Sequence, residues 1–424
     1  MGKNARKRQG RTNGPTGPGS RATPTVTRGT SDPRAILWAS NSPWAQTGYG
    51  QQTAQATQRL NADGHKVAIA SNYGLEGAVS TWRDIPHFPR GFDLYSNDVI
   101  PAHMASWANA NQGAKPLLVT LFDTWIFKGE PWEHVEHIAS WVPIDHSPIP
   151  PDVAAWCKRP NVTPIAMSEF GQDALLAAGV EALYVPHAIE KVFTPTESIT
   201  TPTGRLTGRE FMGIDPDKFV VTMNAANKGR VPCRKSFAEA FLAFSMFADR
   251  HDDAVLYLHT EDRGAMGGID LHHLAQAVGL QPHQFAFVDA YAYRTNIPQD
   301  LLAAVYTASD VLLAPSMGEG FGIPVIEAQA CGTPVIVSNF SAQPELVGDG
   351  WLVEGQPWWD AAQRSWLITP TVPSIIEALE AAYDRGQCSS DKAIEFASKY
   401  DADYVYERYW RPTIKALTLS EVRP

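Results

Sequence analysis

From residue 35 onward, short apolar runs alternate with longer amphipathic stretches. Residues 35–39, Ala-Ile-Leu-Trp-Ala, are unbroken apolar chain and predict a buried first strand. A polar, glycine-containing loop covers 40–50, a helix is expected over about 51–63 with Gly64 closing it, and a strand over 66–70. Strand, loop, helix, strand is the opening of a parallel α/β sheet. Further strands are predicted at 117–122, 141–144, 163–167 and 183–185, with a helix at about 169–178 before Gly179. Residues 194–209 are rich in Thr, Pro and Gly and nearly lack large apolar side chains, so they read as an interdomain linker. A second series follows, with strands at 219–223, 254–259, 285–288, 311–314 and 334–337. Helices are expected at 234–250, 270–278, 299–308 and 324–330. The fold class is therefore α/β, with two doubly wound domains facing a cleft, and ligands are expected beyond the carboxyl ends of the strands. Residues 401–416 carry Tyr404, Tyr406, Tyr409, Trp410 and Ile414, an aromatic helix face that must pack on something large. The expected division is a tail over 1–31, domains over 32–193 and 210–400, and a C-terminal helix over 401–424 that returns to the first domain.

Composition narrows the class. The 424 residues are 44% apolar and 19% charged, as in folded globular proteins. No apolar run approaches the roughly 20 residues of a spanning helix, and the N-terminus shows no secretion signal. The four cysteines, at 157, 233, 331 and 388, are far apart and form no CxxC pair. Disulfide scaffolds and cysteine-based zinc sites are not expected, and the expected compartment is a reducing cytoplasm. Net charge is −10, yet residues 1–30 hold seven basic and no acidic residues. An acidic body does not suit nucleic acid. The basic tail reads as a solvated extension that could make weak contact with an anionic surface.

The chemistry concentrates at 316–335, Ser-Met-Gly-Glu-Gly-Phe-Gly-Ile-Pro-Val-Ile-Glu-Ala-Gln-Ala-Cys-Gly-Thr-Pro-Val. It follows a predicted strand, Pro324 suits the start of a helix and Gly332 its end. Gly318, Gly320 and Gly322 would let the backbone approach a ligand closely, beside Phe321. Free N–H groups at the helix start favour an anion such as a diphosphate. Glu327, expected in the first helical turn, suits two ribose hydroxyls, and Glu319 lies across the loop from it.

The run Glu-Gly-Phe-Gly-x-Pro-x-x-Glu-Ala-x-Ala-x-Gly-x-Pro-Val resembles the signature of retaining, nucleotide-sugar-dependent glycosyltransferases of the GT-B fold, of the family 4 type. The likeness extends in order over most of 35–415. Ser168-Glu169, the segment Val185-Pro186-His187-Ala188-Ile189-Glu190, Ala308-Ser309-Asp310-Val311 and Glu345-Leu346-Val347 all take part. Where the family usually reads Val-Pro-Asn-Gly-Val-Asp, this chain has His187-Ala188 and Glu190.

The resemblance implies transfer of a sugar from a nucleoside-diphosphate sugar to an acceptor hydroxyl with retention. The acceptor would be a glycan, lipid or protein, and neither metal nor other cofactor is needed. It further implies that Lys235 holds the donor diphosphate together with one of Arg230, Arg234 or Asn227. Gly48 and Tyr49 occupy the place of the family's first-domain glycine loop, which touches diphosphate or acceptor, and His146 matches a histidine that touches the donor sugar. Glu319, His146 and Lys235 are thus the candidate catalytic residues. Asp123, ending the preceding strand, is a candidate acceptor contact. An epimerase of the same fold and a catalytically silent sugar-nucleotide-binding protein are the alternatives. Asp401-Ala402-Asp403 has the spacing of a metal motif but sits at a helix start, where capping is the plainer reading. The Trp358, Trp359 and Trp366 region reads as either packing or a lid.

Overall fold

The computed structural model describes residues 33–202, 204–229, 233–386 and 389–420. The basic tail, Arg230 and Cys388 lie outside them. In the first half, in chain order, run β1 (Arg34–Asn41), α1 (Gly48–Ala62), β2 (Lys66–Tyr73), β3 (Ser80–Trp82), β4 (Ile85–Phe88), α2 (Ile100–Ala110), β5 (Lys115–Leu121), β6 (Ile138–Val142), α3 (Pro151–Cys157), β7 (Val162–Ala166), α4 (Glu169–Ala177) and β8 (Leu183–Tyr184). The chain continues through β9 (Ser198–Thr201), β10 (Gly204–Thr207), α5 (Gly208–Met212), β11 (Phe219–Asn224), α6 (Phe237–Ala248), β12 (Ala254–His259), α7 (Leu271–Ala277), β13 (Phe285–Phe287), α8 (Ala290–Thr295), α9 (Gln299–Thr307) and β14 (Val311–Ala314). It closes with α10 (Ile323–Ala330), β15 (Val335–Ser338), β16 (Gly350–Val353), β17 (Gly355–Asp360), β18 (Ser365–Pro370), α11 (Val372–Arg385), α12 (Asp391–Ala397), α13 (Ala402–Val405) and α14 (Arg411–Ser420).

Two large sheets result. The first runs β3-β4-β2-β1-β5-β6-β7-β8 and is parallel except for β3 on β4. The second runs β13-β12-β11-β14-β15-β16 and is parallel throughout. Both reverse direction of strand addition beside their first strand, between β1 and β5 and between β11 and β14, which is where doubly wound sheets open a ligand crevice. β1 shows why the pattern is legible. Its residues from Arg34 to Ser40 are all buried, as a strand covered on both faces requires.

The boundaries correct two expectations. The strand expected at 141–144 is Ile138–Val142, because Pro143 has no N–H to continue the ladder. The stretch read as a linker contains an antiparallel hairpin, β9 on β10, followed by α5 with Thr207 and Glu210 in a capping box.

One hydrophobic core runs through both halves. It joins Ile36, Trp38 and Trp141 to Phe321, Ile323, Tyr400 and Trp410. The C-terminal helical segment returns to the first sheet. Trp410 lies edge-on to Trp38 at 5.3 Å and to Trp141 at 4.8 Å, and Arg411 pairs with Asp63 at 2.6 Å. Aromatic pairs of this kind add about 0.5–1.5 kcal/mol each beyond burial. Glu345 crosses between the halves in another way. Its two carboxylate oxygens accept the N–H groups of Glu169 and Phe170, both at 2.9 Å, at the start of α4, where the helix dipole favours an anion. No helix among the described residues is long and apolar enough to cross a membrane.

Candidate active site

The loops that leave the two switch points meet. From the first sheet come Asn41–Gly48 after β1, Asp123 after β5, and Pro143 and Asp145 after β6. From the second come Asn224–Lys228 after β11 and Ser316–Phe321 after β14. All of these segments contribute to the wall of one cavity of about 1260 Å3, which also takes in Arg234, Lys235, Ile323 and Glu327. Thr47 caps α1 by accepting the Gly50 N–H at 3.0 Å, which fixes the entry of Gly48 and Tyr49 into the cavity. The contact between halves is tight there. A Cβ at Gly48 would come within 3.0 Å of the Ile323 side chain.

Charge is densest around Glu319. Its carboxylate accepts from Lys235 Nζ and, at 3.2 Å, from Arg234 Nη1. Arg234 also donates to the Gly318 carbonyl and faces Asp145 at 3.7 Å. Burial alone would raise the Glu319 pKa, but Lys235 and Arg234 override it and hold the carboxyl down at about 2. Burial pulls Lys235 below the usual lysine range, with Glu319 opposing. Arg234 is surrounded by protein yet 40% of its side chain is open to the cavity, and the nearby carboxylates outweigh burial to raise its pKa. Asp123, on the facing wall, is driven up to about 6 by burial and by the charge of Asp145. The site is therefore a pair of cations bound to one ionised glutamate, with Asp145 and Asp123 close by.

Glu327 occupies a different environment. It sits in the second turn of α10 rather than the first, and only 1% of it is exposed. Tyr306 donates its hydroxyl to Glu327 Oε2 at 2.9 Å and accepts from Asn224 Nδ2 at 2.6 Å, while Glu327 Oε1 has no hydrogen-bond partner. Burial lifts the Glu327 pKa to about 7, against smaller opposing effects of Tyr306 and Gln51. Tyr306 thus fixes the orientation of the Glu327 carboxylate at the cavity wall. Tyr306→Phe keeps the buried ring and removes one hydrogen bond, an effect of about 1 kcal/mol. Affinity for a nucleoside diphosphate is expected to fall about fivefold with kcat within twofold. Calorimetric affinities beside steady-state rates check this, and an unchanged affinity would show that Glu327 needs no such support.

Residues 269–365 match the model of the family described as glycosyl transferases group 1. That stretch lies wholly within the second half of the chain, from the segment before α7 to β18. A D-inositol 3-phosphate glycosyltransferase of Paenarthrobacter aurescens is 26% identical over 220 residues, 50% of this chain and 48% of that protein. The chain spans about half the length of the curated relatives it matches first. Among solved structures, a sucrose-phosphate synthase from Thermosynechococcus elongatus aligns at TM-score 0.67 and 17% identity over 91% of this chain and 100% of that one. Anabaena HepE in complex with UDP and glucose aligns at TM-score 0.62 and 16% identity over 92% and 100%. At these identities the likeness is one of fold, and the fold is GT-B.

The expected site residues divide. Gly48, Tyr49, Asp123, Arg234, Lys235, Glu319, Gly320, Phe321, Gly322 and Glu327 all line the cavity. Four expectations need correction or fall outside the described residues. His146 does not line the cavity. Its Nδ1 is 2.6 Å from Asp145 and its Nε2 3.3 Å from Asp360, so both ring nitrogens are occupied by carboxylates. Burial opposes protonation, but these partners raise its pKa. The cavity residue at that position is Asp145, which sequence reasoning passed over. Asn227 is also occupied. Its amide bonds the backbone of Glu261 and Ile269, and it does not line the cavity, so it is no diphosphate ligand. Arg230 lies outside the described residues. Lastly, Gly318 makes room for protein rather than ligand, and Gly320, although it lines the cavity, is also closely approached by protein. A Cβ at Gly318 would lie 2.3 Å from the Asp145 carbonyl, and one at Gly320 2.4 Å from Pro143.

The other marked motifs resolve. Asp401 caps α13 by accepting the N–H groups of Asp403 and Tyr404, and Asp403 pairs with Arg59 and Lys191. The tryptophan region is a strap between the halves. Trp366 pairs with Ser147 through two backbone hydrogen bonds of 3.1 and 3.3 Å, and Arg364 reaches Asp152 at 2.5 Å.

Proposed function

We infer that the chain transfers a sugar from a nucleoside-diphosphate sugar to an acceptor hydroxyl, with retention of anomeric configuration and in the cytoplasm. The observation that carries this is the placement of Arg234 and Lys235 beside Glu319 in a cavity shared by both halves, with Glu327 in the same cavity. Two fixed cations suit a diphosphate, and Glu327 with its free oxygen suits the ribose hydroxyls. In this reading the bond from the anomeric carbon to the β-phosphate oxygen breaks and the diphosphate leaves with the electron pair. The acceptor oxygen attacks from the same face, and its proton passes to the departing phosphate oxygen. Arg234 and Lys235 stabilise charge where it develops, which is the largest contribution such a site can make. Anabaena HepE holds UDP and glucose, and a donor of that chemical class is proposed here without choosing the base. A melting-shift screen of UDP, GDP and ADP sugars tests donor binding, and NMR of the anomeric product tests retention. No shift with any donor would overturn the reading.

Because Arg234 and Lys235 supply the positive charge, turnover is expected to persist when divalent ions are chelated. Rates in EDTA within twofold of those with added magnesium or manganese are the expected result. Complete loss in EDTA with recovery on adding either ion would overturn it.

A further inference from the structure

The cavity extends well past the charged centre. It follows one face of α1, through Gln51, Ala54, Gln55, Gln58, Arg59 and Ala62, and is walled on the other side by Trp82, Arg83, Glu190 and Asp403. From Gly48 to Ala62 this stripe is about 21 Å long at 1.5 Å per residue. Such a length exceeds what contact with a diphosphate requires.

Gln55 distinguishes the groove from a plain helix surface. It is only 5% exposed, and neither its amide oxygen nor its amide nitrogen has a hydrogen-bond partner. Buried polar atoms are nearly always paired. An amide offers both donors and acceptors, and a hydroxyl is the small group that answers both. Charge in the groove is already balanced. Arg59 is held by Glu190 at 3.0 Å and Asp403 at 2.9 Å, and Arg83 donates to Gln58 while lying 5.2 Å over the Trp82 ring. The charged walls of the groove, Arg59 and Arg83 against Glu190 and Asp403, sum to zero, so it has no net charge to draw a phosphate or carboxylate. The half-buried Trp82, with Arg83 over its ring, adds an apolar portion to the wall, against which the C–H groups of a sugar can pack.

The geometry points to a binding site for a neutral, polyhydroxylated chain along α1, occupied by the part of a glycan acceptor remote from the reacting hydroxyl. This rests on the transfer reading above and names its acceptor class. The groove continues the reaction cavity, so a chain lying in it can present one end to the charged centre.

The test uses the full chain and three neutral probes, maltotriose, cellotriose and mannotriose, by calorimetry with and without the nucleoside diphosphate that shifts melting most. At least one trisaccharide is expected to bind. Gln55→Met, which keeps length and removes the amide, and Trp82→Ala are each expected to weaken it tenfold or more, with diphosphate affinity within twofold of wild type. Binding of none of the three overturns the proposal, as does binding that neither variant weakens. Loss of diphosphate affinity in Gln55→Met also overturns it, because the groove would then hold the nucleotide. Failure of every nucleoside diphosphate to bind, with trisaccharide binding intact, would instead strike the donor reading.

Discussion

Lys235→Ala is expected to lower donor affinity and kcat/KM together, by about tenfold to a hundredfold. That range corresponds to one charge-assisted hydrogen bond of about 1.5–3 kcal/mol. Lys235 faces the cavity, and its ammonium is bound to Glu319. In the proposed reaction the donor diphosphate shares or takes over that cation. Removing it leaves Glu319 with Arg234 alone at 3.2 Å, and a carboxylate stripped of a partner in an enclosed site is costly. A lower melting temperature should accompany the kinetic loss. Lys235→Arg retains the charge and should recover part of the affinity, but not the geometry. Calorimetry with the nucleoside diphosphate, steady-state rates and melting curves measure the three effects. Wild-type kinetics in Lys235→Ala would move the diphosphate role to Arg234 or Lys228, both of which line the same cavity.

The same charge balance explains how the site can stay folded before substrate arrives. Two adjacent cations in an enclosed site would repel. Glu319, ionised far below neutrality, sits between them, and Asp145 adds a second carboxylate at 3.7 Å from Arg234. A diphosphate brings the same sign of charge to the same cations. In the proposed reaction, binding is thus an exchange of anions more than the creation of new pairs, and the diphosphate takes the place of water at the part of Arg234 that is open to the cavity.

How far the molecule was legible from its residues depended on whether the deciding signal was local. The strands of both sheets announce themselves as apolar runs, and α10 by a proline near its start and Gly332, at φ 88°, after its end. Arg234, Lys235, Glu319 and Glu327 fall in two short segments that each follow a strand, so their meeting at a strand end could be foreseen. Asp145 and His146 could not be told apart. Neighbours in extended chain point to opposite sides, and which one faces the cavity depends on where the preceding strand stops. That strand was placed too late by the apolar pair at Val142 and Ile144, whereas Pro143 ends it. The glycines at 318 and 320 correctly signalled close approach, but nothing in the chain says that the approaching partner is the loop at 143–145. Tyr306 was invisible for a similar reason. It is one residue of a helix whose partners, Asn224 and Glu327, are brought to it only by the order of strands in the sheet.

The two glutamates should separate in kinetics. In the proposed reaction Glu327 meets groups that change little while the glycosidic bond breaks, and interactions equal in ground and transition states appear in KM. Glu327→Gln is therefore expected to raise donor KM about tenfold, the upper end of the range for one ordinary hydrogen bond, and to weaken the free nucleoside diphosphate equally. Glu319 is bonded to the cations that stabilise the leaving group, where charge does change. Glu319→Gln should lower kcat about tenfold to a hundredfold by the same measure. It should leave nucleoside-diphosphate affinity equal or tighter, since the neutral amide no longer competes for Lys235 and Arg234. This last sign is the discriminating one. A residue that merely kept the loop folded would lose affinity and turnover together when changed. Calorimetric affinity for the free diphosphate, set beside steady-state rates for both variants, decides. If Glu319→Gln abolishes diphosphate binding while Glu327→Gln does not, the two roles are reversed.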